Sequence, residues 1–76
     1  MEIIARINCM VLKSTPYLAR NGCERYKLLV LQGDNCLTVY SSQDYSQNSM
    51  LEDLEVKISI SMSKSSGFPV FVIMAI

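Results

Sequence analysis

From Leu54 to Met62 the chain alternates strictly: Leu54, Val56, Ile58, Ile60 and Met62 are apolar, and Glu55, Lys57, Ser59 and Ser61 between them are polar. Successive side chains leave a β-strand on opposite sides, so a period of two marks a strand with one face on a core and one in water. The same reading reaches the start of the chain. Ile3, Ala5, Ile7, Cys9 and Val11 share one face and Glu2, Arg6 and Asn8 the other, with Ile4, Met10 and Leu12 blurring the alternation, and a long first strand is expected.

Three further strands follow from turn chemistry. Tyr26, Leu28, Leu29, Val30 and Leu31 make the run Arg25–Gln32 apolar on both faces, and Gly33-Asp34-Asn35 then turns it into Cys36–Tyr40, which predicts a hairpin. Pro69–Ile76 is apolar throughout and follows Lys64-Ser65-Ser66-Gly67, so it reads as a final strand with proline at its start. Between these lie two connections. Lys13–Glu24, with Pro16 and Asn21-Gly22, reads as a long loop. Ser41–Asp53 is polar and partly acidic, and Ser49 with Glu52 has the spacing of a capping box ahead of Met50, Leu51 and Leu54, which predicts one helical turn there. An all-β chain of five strands, with its connector between the third and fourth, has the order of an OB-type barrel, here a single domain over residues 1–76.

The size of that domain bears on its partners. A chain of 76 residues buries only about 60% of the surface its unfolded form exposes, and half of these residues are hydrophobic. Apolar surface is therefore expected to meet a partner, most simply a second copy in a homodimer. Cys9, Cys23 and Cys36 are an odd, widely spaced set that suits neither a disulfide framework nor a zinc site, and they read as reduced thiols. The chain has no histidine, which removes the commonest proton shuttle and metal ligand. Glu52, Asp53 and Glu55 are read as solubilising acids rather than a general acid and base. A non-enzymatic protein without metal or cofactor is expected. With no signal-peptide pattern and no apolar run of membrane-spanning length, the expected place is the cytoplasm.

Net charge is zero, but the charges are not evenly spread. Arg6, Lys13, Arg20, Arg25 and Lys27 face only Glu2 and Glu24 in the first part of the chain, and Lys57 and Lys64 are outnumbered by Asp34, Asp44, Glu52, Asp53 and Glu55 in the rest. Cations interleaved with Tyr17 and Tyr26 suit single-stranded nucleic acid, because ammonium and guanidinium groups meet phosphates while rings stack on unpaired bases. An ordinary solvated edge that discourages strand-to-strand aggregation is the alternative reading of the same cations. Tyr40, at the end of the third strand, and Phe68, in the last turn, are further stacking candidates.

The segment Arg20-Asn21-Gly22-Cys23-Glu24-Arg25-Tyr26-Lys27 resembles the loop-into-strand feature of the gene V type single-stranded DNA-binding proteins of filamentous phages. In that family a basic loop with a glycine leads to an aromatic residue opening the second strand. The resemblance implies an OB barrel, a symmetric homodimer, and sequence-tolerant coating of single-stranded DNA, favoured over RNA, during replication, in the host's cytoplasm if a phage encodes the chain. It matches Tyr26 to the motif aromatic and Arg20, Arg25 and Lys27 to its flanking cations. Zero net charge adds the expectation that binding is weak or falls steeply with salt. A competing expectation is a protein-interaction or structural subunit that assembles by edge pairing through Pro69–Met74.

Overall fold

The computed structural model describes residues 1–47 and 49–76. Its elements are five strands: β1 (Glu2–Leu18), β2 (Glu24–Gln32), β3 (Asn35–Ser41), β4 (Met50–Met62) and β5 (Pro69–Ala75). They close into a barrel in the order β1-β2-β3-β5-β4. Every pairing is antiparallel except β3 with β5, where Val39 lies opposite Ile73 and Tyr40 opposite Met74. This is the expected five-stranded OB-type barrel, and no helix occurs among the described residues.

The inward set follows the alternation. Cys9, Leu28, Val30, Val39, Leu51, Leu54 and Val56 form the buried core, with Ala5, Ile7, Val11, Tyr26, Leu37, Tyr45, Ile58, Ile73 and Ala75 packed against it. Ser41 is the one buried polar residue among the described residues, and its Oγ accepts a hydrogen bond from the Gln43 amide at 3.0 Å. That bond offsets the desolvation of a hydroxyl placed in an apolar interior.

The helical turn expected from Ser49 and Glu52 does not form: Met50–Asp53 is the first part of β4. Leu51 and Leu54, three residues apart, are both buried because a β-bulge lies between them. Cys9 pairs with Leu51 and Ile7 with Leu54, so Glu52 and Asp53 together oppose the single residue Asn8. Asp53 sits there at φ 52°, in the left-handed region, and its amide donates to Asn8 Oδ1 at 2.8 Å. An apolar spacing of three thus arises from one extra residue in a strand, although in sequence it imitates a helix face.

The expected Lys13–Glu24 loop is also shorter than its residues suggested. Lys13–Leu18 continues β1 and pairs with Glu24–Leu29 of β2, leaving a turn over residues 19–23. The turn closes through Gly22 N–H to Ala19 O and Ala19 N–H to Cys23 O, both 2.9 Å, with Gly22 at φ 82°. That dihedral suits glycine, which has no Cβ to collide with the backbone. Pro16 is tolerated because this arm is an edge: β1 pairs with β4 only as far as Met10, so one side of Lys13–Leu18 has no partner strand.

A second bulge divides β1. Val11 pairs with Val30 and Lys13 with Leu29, so Leu12 is an extra residue. Before it the odd positions Ile7, Cys9 and Val11 face inward; after it the odd positions Lys13, Thr15 and Tyr17 face out. One inserted residue thereby reverses which residues of the first strand reach solvent.

Candidate nucleic-acid interface

Residues directly opposite each other in neighbouring strands share a face, so register and burial together define the outer surface of β1, β2 and β3. Leu28, Val30 and Val39 are fully buried, which places their sequence neighbours outside. Four rows cross this outer face. Tyr17 lies opposite Arg25; Thr15 opposite Lys27, which lies opposite Tyr40; Lys13 opposite Leu29, which lies opposite Thr38; and Met10 opposite Leu31, which lies opposite Cys36. Three of these positions are cations, two are tyrosines and none is a carboxylate.

The two tyrosines meet above β2. Their ring centroids are 6.1 Å apart with an interplanar angle of 81°, an edge-to-face pair that leaves aromatic surface open beside Arg25 and Lys27. Next to them a depression of about 330 Å³ is lined by Lys13, Thr15, Lys27, Leu28, Leu29 and Thr38. The ion pairs among the described residues lie elsewhere, Arg6 with Glu55 at 3.6 Å and Lys57 with Glu2 at 3.3 Å. Lys13, Arg25 and Lys27 thus have no carboxylate partner among the described residues, and their charge is free to act on a ligand.

Tyr26 stands apart from this group. Within β2 it has the parity of Leu28 and Val30, not of Arg25 and Lys27, so the strand directs it to the opposite side, where it packs against the core. Its surroundings there are acidic. The Tyr26 hydroxyl lies 3.5 Å from Glu24 Oε1, and the negative charge of Glu24, followed by desolvation and the charge of Asp44, pushes the phenol above its ordinary value. Asp44 is fixed nearby, accepting from Ser14 Oγ at 3.0 Å and from the Ser46 amide at 2.9 Å. These hydrogen bonds, the Ser46 amide foremost, hold the Asp44 carboxyl below the usual carboxylate range.

The remaining residues divide by position. Arg20 is exposed in the β1–β2 turn, beyond Arg25 and Tyr17. Phe68 is 72% exposed in the β4–β5 turn, at the other end of the barrel. Tyr40 is level with Met74, and six residues at roughly 3.3 Å each separate Phe68 from that level by about 20 Å. Of the residues expected at the site, the structure therefore brings together Lys13, Tyr17, Arg25, Lys27 and Tyr40, places Arg20 at the rim, and sets Tyr26 and Phe68 on other surfaces. Thr15, Leu29 and Thr38 join the face without having been anticipated. The parity of β2 was available in the sequence as a signal for Leu29, but Thr15 and Thr38 depend on strand register.

The fold and this surface define a small closed five-stranded barrel that carries a cationic, aromatic outer sheet face. No family model, curated protein or solved structure matches the chain. Among the described residues no cluster of His, Cys, Asp and Glu could hold a metal ion, and no helix is long and apolar enough to cross a membrane.

Proposed function

We propose that this protein binds single-stranded nucleic acid in a sequence-tolerant manner on the outer face of β1, β2 and β3. Lys13, Arg25 and Lys27 take phosphates there, and Tyr17 and Tyr40 offer rings to unpaired bases. The observation that carries the reading is the segregation of charge: three cations and two tyrosines on one face with no carboxylate, while Glu24 and Asp44 lie on the other side around Tyr26. Arg20 at the turn extends the path of the backbone. The resemblance of Arg20–Lys27 to the gene V type proteins, which rests on Gly22 and the cations alone because Tyr26 packs toward the core, points to DNA over RNA, to coating of DNA during replication, and to a homodimer as the working unit.

Fluorescence polarisation of labelled oligo(dT) at low and moderate salt tests this. Binding that weakens with salt and with Tyr40→Ala or Lys27→Ala is expected. No binding at low salt rejects the proposal, as does affinity indifferent to both substitutions.

A second reading is favoured by a separate observation. β5 pairs with β3 only at Val39–Ile73 and Tyr40–Met74, so Pro69–Val72 has β4 on one side and a free edge on the other. Val70, Phe71 and Val72 are all exposed there, Phe71 by 60%. An uncharged, apolar free edge suits strand addition from a second chain, which is how a structural or interaction subunit would assemble. Sedimentation velocity separates the cases, since discrete dimers that bind oligonucleotide support the first and open-ended assembly indifferent to it supports the second.

A further inference from the structure

We propose that Lys13 and Lys27 hold one phosphate group jointly, in the depression between them, and that this subsite sets the register of a bound strand. The inference rests on the nucleic-acid reading and adds to it how two of the cations are used. Lys13 lies opposite Leu29 and Thr15 opposite Lys27, so the two lysines are diagonal neighbours across the β1–β2 pair. Side chains so placed have backbone positions about 7 to 8 Å apart and their long stems reach a common point. Both line the same depression, together with Leu28, Leu29 and the threonines Thr15 and Thr38, whose hydroxyls can donate hydrogen bonds.

Neighbouring ammonium groups repel, and an acidic residue between them is the usual relief within a protein. Neither lysine has a carboxylate within ion-pairing distance among the described residues. An anion with several acceptor oxygens supplies what the fold omits: each ammonium carries three donors, and a phosphate presents enough oxygens to meet both lysines and the two threonines at once. Lys27 is directly opposite Tyr40, so a phosphate seated here brings a base of the same strand over the Tyr40 ring.

Shared use of one phosphate has a measurable signature. For a single strand, log affinity falls against log salt with a slope of about 0.7 per phosphate neutralised. The double variant Lys13→Gln/Lys27→Gln is expected to reduce that slope by about 0.7, the equivalent of one phosphate, whereas two separately held phosphates would remove about 1.4. Lys64→Gln, in the β4–β5 turn, is the control and leaves the slope unchanged. A loss of about two phosphate equivalents, or none, overturns the shared subsite while leaving nucleic-acid binding intact. If the unaltered protein binds no oligonucleotide, the broader reading fails, and titration with inorganic phosphate decides the subsite by itself. Amide chemical-shift changes at Thr15 and Thr38 that vanish in the double variant are expected, and their absence in the unaltered protein overturns the proposal.

Discussion

Tyr17 and Tyr40 come from strands that are not neighbours, yet their rings meet edge to face at 6.1 Å across β2. The contact exists because the Leu12 bulge turns Tyr17 outward and the β2–β3 register raises Tyr40 on the same surface. Removing either ring takes away a stacking surface and the support of its neighbour. Base–aromatic stacking contributes about 1 to 3 kcal/mol per base, so Tyr40→Ala is expected to weaken oligo(dT) binding by roughly 5- to 150-fold. Tyr26→Phe, on the core-facing side, leaves affinity unchanged in the same polarisation assay.

Acid titration of the fold carries a signature of Asp44. Its carboxyl is held below the ordinary value of 3.8 by the Ser46 amide and hydroxyl and by Ser14. A depressed folded-state value means that the unfolded chain takes up the proton first as pH falls. The stabilisation is present above the ordinary carboxylate value and is lost as pH drops through the lower folded one. Asp44→Asn is expected to lower stability at neutral pH and to flatten the acid limb of a urea-midpoint profile below about pH 4.

The β4 bulge offers a test of backbone strain. Asp53 occupies the left-handed region at φ 52°, which glycine adopts without a Cβ clash. Asp53→Gly is expected to change stability by less than about 1 kcal/mol in either direction, because relief of strain offsets the entropy glycine loses. Asp53→Val, β-branched at the same dihedral, lowers the thermal midpoint clearly. Asn8→Ala removes the 2.8 Å acceptor of the Asp53 amide and is expected to lower stability by about 1 kcal/mol.

The core has little redundancy in a domain of this size. Leu28 in β2 and Val56 in β4 are fully buried. Leu28→Ala is expected to lower unfolding free energy by about 2 to 5 kcal/mol through lost transfer energy and the cavity left behind. Chemical denaturation measures this, and a shift under about 1 kcal/mol contradicts the packing described.

Thiol reactivity distinguishes the cysteines by place. Cys23 and Cys36 are exposed, whereas Cys9 is buried and burial pushes its thiol upward, toward the unreactive protonated form. A maleimide is expected to modify Cys23 and Cys36 rapidly in the folded protein and Cys9 only on unfolding, read by mass spectrometry. Rapid labelling of Cys9 under native conditions contradicts the core assignment.

At the free edge, Phe71→Lys introduces a charge where the apolar strand would pair with a second chain. Self-association, followed by sedimentation, is expected to fall, while oligonucleotide affinity per monomer stays within about twofold, because Phe71 lies three residues, about 10 Å, along β5 from the level of Tyr40.

Alternating strands were legible directly: Leu54–Met62, and Ile3–Val11 although the apolar Ile4 and Met10 blur its pattern, predicted their inward faces from parity, since one buried face imposes a period of two. The β2–β3 hairpin was legible from Gly33-Asp34-Asn35. The misreadings occurred where the period changes. Leu51 and Leu54 imitated a helix because a bulge adds a residue without adding an element, and Lys13–Leu18 imitated a loop because its proline and polar residues suit an edge as well as a turn. Tyr26 was grouped with Arg25 and Lys27 by sequence adjacency, although adjacent residues in a strand point apart.

The sequence by itself determined that this chain makes β-strands, which residues of Leu54–Met62 share a face, and that most of its cations lie at or before Lys27, because pleating and composition are local properties. Only the tertiary structure decided that Lys13, Thr15 and Tyr17 stand on the same surface as Arg25, Lys27 and Tyr40. That outcome depends on an extra residue at Leu12 and on register across three strands, and register is set by how the whole barrel closes on its core.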